Sequence, residues 1–338
     1  MTLLSRTALL LGAGLVELSA TGRTPPPTET VTAASMRWAY PDPSAAPAAT
    51  ASPPSRADDR PIRVPGGEVT FRPAELANRF STPDWRPSDH PPMPAIVAKG
   101  RGTSVMACGF CHLPTGNGRP ENASLAGLPR SYLIEQVLAF RSGERRSAVG
   151  AHVPMELMTD VAKTATDAEI ADAAEYFSAL PRRSFISVVE TAKVPKTRTI
   201  GWVYSRDPAG GSEPIGARIV EMPVDFERFE HRDPATDYIA YVPTGSIARG
   251  RSLVRTWGGG GALSCTICHG PDLRGNDIGP PLAGRSPTYI VRQLTDFRTG
   301  ARHGQSTEPM QPVVATMRSA DMIALAAYLG SLKPPARQ

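Results

Sequence analysis

The sequence predicts an all-α protein in which two similar helical domains lie in tandem, joined by an irregular connector with short β-strands. The pattern Cys-x-x-Cys-His occurs twice, at Cys108–His112 and at Cys265–His269. Each copy is followed by segments whose apolar residues recur at helical spacing. The length of 338 residues suits about two domains of ordinary size.

The second half of the chain repeats the first at a constant spacing. Cys265 lies 157 residues after Cys108, and the same offset relates further identical pairs, among them Tyr132 and Tyr289, Gln136 and Gln293, and Arg145 and Arg302. Near the end of each half the offset falls to 152, as for Tyr176 and Tyr328. So many identities at one offset indicate an internal duplication, with a shorter second copy.

The first 65 residues precede the duplicated part. Residues 1–22 resemble an export signal, because Arg6 is followed by an apolar run over 7–16 that is too short to span a membrane. Residues 23–65 are rich in Pro, Ala, Thr and Ser and show no apolar period. This composition predicts an extended linker.

The first domain is predicted over 66–182. A short helix over 95–101 leads into the first motif. Thr166 and Glu169 have the spacing of a capping box, which opens a helix over 170–180. Pro181 then ends that helix.

The remaining chain divides into a connector and a second domain. The connector, 183–243, is predicted to hold short strands at 185–189 and 218–222 and shows no cofactor motif. The second domain, 244–338, is predicted to begin with a helix over 247–254. Its final helix covers 320–332, with Ser319 as the capping residue.

The two motifs predict covalent attachment of haem c. Two cysteines separated by two residues can each bond one vinyl group of a porphyrin, and the histidine that follows reaches the iron. The cysteines concerned are Cys108, Cys111, Cys265 and Cys268, which are all four in the chain. The proximal iron ligands are predicted to be His112 and His269. Zinc or a disulfide is the alternative, but neither explains a histidine after both pairs.

A methionine thioether is the predicted sixth ligand of each iron. Met310 is the candidate in the second domain, because Met317 and Met322 lie where core packing is expected. In the first domain we predict Met158, with Met155 as the alternative. Met158 matches Met310 at the offset of 152 that also aligns the final helices.

Two histidines are rival iron ligands. His152 and His303 lie in the loops before these methionines and could make each iron bis-histidine. A lone loop histidine is more often exposed to solvent, so the methionines are preferred.

With these features in place, each half resembles a class I cytochrome c domain, over 66–182 and 244–334. The resemblance implies that a glycine of the leading helix packs against an aromatic residue of the last helix, which pairs Gly100 with Tyr176 and Gly250 with Tyr328. It also implies that the Pro280 carbonyl accepts the ring N–H of His269. Ala123 stands at the position that matches Pro280, so the resemblance assigns no proline carbonyl to His112.

The predicted function is a diheme c-type cytochrome that shuttles single electrons between periplasmic redox proteins, such as a donor dehydrogenase and an acceptor oxidase or cytochrome. With His and Met on both irons, it would be an electron carrier and not an enzyme. The alternatives are a diheme peroxidase-like enzyme, the cytochrome subunit of a periplasmic dehydrogenase, or a redox- or gas-sensing module. The net charge of +5 is spread without a basic block, which argues against nucleic acid as a partner. Membrane association is expected only if the signal stays uncleaved.

Overall fold

The computed structural model describes residues 31–42, 59–257 and 264–334, so the predicted signal at 1–22 lies outside the described residues. Within these ranges the α-helices are α1 Pro73–Ala77, α2 Ala95–Ala98, α3 Cys108–His112, α4 Arg130–Ser142, α5 Val153–Thr164, α6 Asp167–Ala179, α7 Phe226–Glu230, α8 Ser246–Thr256, α9 Cys265–His269, α10 Pro287–Arg298, α11 Met310–Val314 and α12 Ser319–Ser331. Short 3-10 helices cover Arg37–Ala39, Pro87–Asp89 and Gln305–Thr307. Across the described ranges, every helix is too short or too polar to cross a membrane.

The first half of the duplicated chain is built from α2 to α6. Its core holds apolar residues of these helices, including Ile96, Leu133, Ile170 and Phe177. The predicted capping box is present, since the Thr166 hydroxyl accepts from the backbone of Glu169 at 3.2 Å. The Glu169 carboxylate in turn accepts from the backbone of Thr166 at 2.7 Å. Helix α6 therefore begins where the sequence predicts.

The second half is built from α8 to α12, and its leading and final helices pack closely. A Cβ built on Gly250 in α8 would lie 2.0 Å from the carbonyl oxygen of Ala324 and 2.7 Å from the Cβ of Tyr328. The expected contact between Gly250 and Tyr328 is thus present. The predicted cap of the final helix is wrong by one residue. Arg318 is the N-cap and Asp321 accepts from its backbone, so Ser319 is already the first helical residue.

The expected contact between Gly100 and Tyr176 is absent. Helix α2 is a single turn, because Pro94 precedes it and Gly100 follows at a φ of +61°. A Cβ on Gly100 would meet the backbone of Val105 and Ala107 instead. Gly100 therefore supports a tight turn before the motif, and it makes no helix crossing.

The connector contains more β-structure than the sequence predicts. The predicted strands correspond to β1 Ile186–Glu190 and β6 Val220–Pro223, and the others are β2 Lys193–Pro195, β3 Thr197–Ile200, β4 Val203–Arg206, β5 Ser212–Pro214 and β7 Tyr238–Val242. Strand β7 is central in a three-stranded sheet, parallel to β1 and antiparallel to β6. Strands β2 and β5 form one antiparallel pair and β3 and β4 another. Every strand in the part of the chain that the structure describes lies between 186 and 242, so the helical prediction describes the two halves and not the connector.

Residues 31–42 differ from the extended linker predicted for 23–65. Met36, Ala39 and Tyr40 are buried in the core of the second half, together with residues of α10 and α12. The Tyr40 hydroxyl donates to Asp296 of α10 at 2.8 Å. This segment packs because its few large apolar side chains fill space beside helices that lie about 250 residues later in the chain.

Candidate haem-binding sites

Both Cys-x-x-Cys-His motifs fold into one helical turn of the same form. Helices α3 and α9 each consist of the five motif residues, and each follows a residue in extended conformation. The residue after the histidine has positive φ in both copies, +64° at Leu113 and +81° at Gly270. The chain therefore turns sharply away after the histidine, and one short turn holds two thiols and an imidazole together.

Each motif histidine is oriented by a backbone carbonyl. The distance between Nδ1 of His269 and the carbonyl oxygen of Pro280 is 2.8 Å, as the resemblance implies. His112 has the equivalent bond, with its Nδ1 2.9 Å from the carbonyl oxygen of Ala123. The loss of proline is tolerated because the acceptor is a main-chain group. When Nδ1 carries the proton, the Nε2 lone pair is left to bind a metal.

Burial shifts the pKa values of both motif histidines and of Cys108 and Cys265 toward the neutral forms. It lowers the pKa of His112 and of His269, although the carbonyl bond partly offsets the effect in each case. Burial also raises the pKa of the Cys108 thiol to about 12 and that of Cys265 to about 11. Neutral imidazoles suit iron ligation.

A cavity of about 410 Å³ opens beside the first motif. Cys108, Cys111 and His112 line one side, and apolar residues such as Leu133 and Phe177 line another. The volume lies in the range of pockets that enclose a cofactor. An apolar cavity that presents two thiols and an imidazole nitrogen fits a covalently bound porphyrin.

The candidate methionines lie near the motifs. Met155 and Met158 both line the first cavity from α5, three residues apart on one face of the helix. Met310 is the first residue of α11, and Met310 and Cys265 each pack against the core of the second half. Met317 and Met322 are fully buried in that core, which fits their predicted packing role.

The two rival histidines have different surroundings. His303 is exposed, as expected of a loop histidine. His152 is buried and lines the first cavity, so the expectation of solvent exposure is wrong for this residue. It caps α5 and stacks edge-on against Tyr40, with ring centroids 5.7 Å apart. Burial lowers the pKa of His152 to about 4. Tyr40 of the 31–42 segment packs on His152, and no local sequence pattern indicates that contact.

The two halves meet through their repeated residues. Arg145 donates to Oε1 of Gln136 and to Oε1 of Gln293, both at 3.0 Å. Arg302 donates to the same two atoms, at 2.7 Å and 2.8 Å respectively. Each amide oxygen therefore bridges one arginine from its own half and one from the other. The sequence showed these identities, but only the fold reveals that equivalent residues of the two copies contact each other.

The repeated tyrosines complete this network. The Tyr289 hydroxyl accepts from Arg145 at 3.0 Å and the Tyr132 hydroxyl accepts from Arg302 at 3.3 Å. Burial would raise the pKa of Tyr289, but Arg145, Arg302 and a third arginine lower it overall. The network lines the first cavity and makes its inner wall positive. Such a wall suits the carboxylates that a porphyrin carries.

The connector also contributes to the first cavity. Residues 200–202 lie along its wall, as do Phe226, Phe229, Glu230 and Arg232. The sequence of this segment contains no cofactor motif that would predict a role at the site. No motif could have revealed these contacts, because each side chain is recruited by its position in the fold.

The fold and the two sites define a c-type haem protein with one haem site in each half. A family model described as "Cytochrome c" matches residues 247–333. Cytochrome c-554(548) of Halomonas halodenitrificans is 35% identical over 69 residues, which cover 20% of this chain and 83% of that protein. The chain belongs to the cytochrome c family, and it carries two covalently bound haem c groups.

Two longer relatives span both halves. Cytochrome c4 of Azotobacter vinelandii is 27% identical over 241 residues, covering 70% of this chain and 89% of the relative. The thiosulfate dehydrogenase electron acceptor of Thiomonas intermedia is 26% identical over 230 residues, covering 67% of this chain and 78% of the relative. The protein is a diheme electron-transfer cytochrome.

Proposed function

We propose that this cytochrome exchanges single electrons with periplasmic redox proteins and passes them between its two haem sites. The observation that carries the proposal is the buried Tyr–Gln–Arg network, because it joins the two halves at the wall of a haem cavity. The bound haem supplies an iron that alternates between ferrous and ferric states. The protein's residues hold, orient and shield that group.

The proposed domains are 66–182 and 244–338, separated by the connector 183–243. The proposed covalent attachment points are Cys108 and Cys111 in the first domain and Cys265 and Cys268 in the second. Each pair lies in one helical turn, and Nδ1 of the histidine in that turn is within hydrogen-bond distance of a backbone carbonyl. That arrangement supports the proposal without any side chain doing acid–base work.

The proposed iron ligands are His112 with Met158 and His269 with Met310. Met158 precedes Thr166 by eight residues, and Met310 precedes Arg318 by eight. Thr166 and Arg318 are the N-caps of the final helices in the two halves. This equivalence favours Met158 over Met155. A soft thioether stabilises the ferrous state and raises the reduction potential.

The ligand assignment is tested by deleting each thioether in the holoprotein. Met158→Ala and Met310→Ala should each remove one half of the methionine-to-iron charge-transfer absorption. Met155→Ala should leave it intact, and Met317→Leu is the matched control for a buried methionine outside the sites. Full retention of the band in Met158→Ala with loss in Met155→Ala would reverse the assignment.

One residue, His152, favours the alternative that the protein is a peroxidase-like enzyme. A peroxidase-like site needs a vacant iron position and an acid–base group close to it. His152 lines the first cavity, and its Nδ1 is buried without a hydrogen-bond partner. We propose that the protein is nevertheless a carrier, because Met158 and Met155 both line the same cavity. Steady-state assays with hydrogen peroxide should show no turnover above that of the His152→Ala variant.

The proposed location is the periplasm, following export directed by residues 1–22. A relative described as a thiosulfate dehydrogenase electron acceptor supports a dehydrogenase as donor, and an oxidase or another cytochrome is the proposed acceptor. The cytochrome subunit of a dehydrogenase complex is the alternative. Co-purification of the tagged, exported protein with a dehydrogenase in stoichiometric amounts would favour the subunit over the free carrier.

A further inference from the structure

The two copies differ in what covers the motif turn and the loop that follows it. Phe110 in the first turn is 4% exposed, whereas its equivalent at the offset of 157, Ile267, is 57% exposed. The Glu121 side chain is 6% exposed, and its equivalent Ile278 is 72% exposed. Buried Asn117 and Arg119 likewise correspond to exposed Arg274 and Asn276.

The connector covers this face of the first half. The guanidinium of Arg232 lies over the Phe110 ring at 3.6 Å from its centroid. It also donates to the Phe110 carbonyl at 3.0 Å. Arg232 has a φ of +56°, a conformation that non-glycine residues seldom adopt, so the surrounding contacts hold it there.

Further contacts attach the connector to the loop. Arg119 stacks on the Phe229 ring at 3.8 Å and donates to the Phe229 carbonyl at 3.2 Å. It also pairs with Glu121 at 3.2 Å. Asn117 donates to the carbonyl of Pro234 at 3.4 Å. Residues 226–236, which we call the connector cap, therefore close the surface around the first haem attachment site.

The equivalent face of the second half is open. Ile267 and Ile278 place two large apolar side chains in solvent beside the second motif. Asp272, Arg274 and Asp277 lie in the loop between the second motif and Ile278 and are exposed, and together they carry a net charge of about −1. An apolar centre with a charged rim is typical of a protein-binding surface.

We propose that partner proteins exchange electrons with this cytochrome at the Ile267/Ile278 face of the second half, while the connector cap excludes them from the equivalent face of the first. The inference rests on the proposed carrier function. The partner fitting this face presents an uncharged apolar centre with basic side chains at its edge, complementary to Asp272 and Asp277. The connector cap supports this description of the partner, because it covers the equivalent surface of the first half with aromatic rings and one guanidinium.

Surface access is tested in the reduced, diamagnetic holoprotein by NMR. A neutral gadolinium chelate should broaden the haem and thioether proton signals of the second site and leave those of the first site sharp. The Arg232→Ser variant should open the cap and broaden the first set as well. Equal broadening of both sets in the wild-type protein would overturn the proposal.

Partner exchange is tested by stopped-flow mixing with a reduced, basic monohaem cytochrome c as the probe. The Ile267→Ser/Ile278→Ser variant should lower the bimolecular rate constant about tenfold, because central apolar contacts dominate interface affinity. Val224→Ser, at a 66% exposed apolar residue of the connector, is the matched control and should change nothing. An equal fall of the rate constant in the control, or no fall in the double variant, would contradict docking at the Ile267/Ile278 face. Either result would leave the carrier function intact. Failure of the wild-type protein to accept electrons from the probe or from ascorbate would instead overturn the carrier function.

Discussion

Replacing Gly250 with alanine should destabilise the second half by pushing its first and last helices apart. The new Cβ would lie 2.0 Å from the Ala324 carbonyl oxygen. Carbon–oxygen contacts normally begin at about 3.3 Å, so α8 must retreat from α12 by more than about 1 Å. Such overpacking costs about 3 kcal/mol at the upper end of its usual range, since a backbone carbonyl cannot rotate away. Alanine regains about 1 kcal/mol of helix propensity, which leaves a net loss of about 2 kcal/mol.

The assay is urea unfolding of the holoprotein followed by far-ultraviolet circular dichroism. Ser252→Ala provides the matched control, because Ser252 is exposed on the same helix. It should raise the free energy of unfolding by about 0.5 kcal/mol or less through propensity alone. A Gly250→Ala protein as stable as the wild type would refute the reasoning, because it would mean that the two helices do not cross as closely as described.

Four other substitutions test other parts of the structure, each by urea unfolding. Gln136→Leu and Gln293→Leu should each lower the free energy of unfolding by about 3 kcal/mol, because buried guanidinium donors lose acceptors. The double variant should lose less than the sum of the two single losses, because both amides accept from the same arginines. Thr166→Ala should cost about 1 kcal/mol by removing the cap of α6; a change below the error of the measurement would argue against the capping box. Burial raises the pKa of Asp296 to about 6, above its unfolded value of about 3.9, so the folded protein binds the extra proton. The stabilisation from the protonated Asp296 carboxyl is therefore complete below about pH 4 and is lost as the pH rises through about 6. The loss should amount to about 3 kcal/mol of unfolding free energy relative to Asp296→Asn. Parallel profiles of stability against pH for the two proteins would contradict this.

Local signals predicted the leading helix of the second half and the final helix of each half, but no bounds were predicted for α4, α5 and α10. The capping box at Thr166 and the stop at Pro181 depend on neighbouring residues, so a single sequence reveals them. The contact of Gly250 with Tyr328 was expected only from the family resemblance. Gly100 was assigned wrongly, because the resemblance placed it in a leading helix. Its positive φ and the prolines before α2 decide its role, and both are matters of backbone geometry that spacing does not convey.

The contacts that could not be predicted join residues far apart in the chain. Tyr40 bonds Asp296 across about 250 residues, and nothing near Tyr40 marks it as a core residue. The Ala123 carbonyl replaces the Pro280 carbonyl because a main-chain acceptor does not depend on the side chain. The connector cap depends on Arg119 and Arg232 stacking on rings supplied by another segment. The repeat offset identified the duplicated residues, but only the packing separates the covered first site from the open second one.

The most direct test of the central claim is a spectroelectrochemical titration of the exported holoprotein. Two low-spin haems per chain, each titrating as a one-electron couple and each carrying the methionine charge-transfer signature in its oxidised form, are the predicted result. A single haem per chain, or a high-spin fraction that persists at neutral pH, would contradict the assignment of two His/Met-ligated electron carriers.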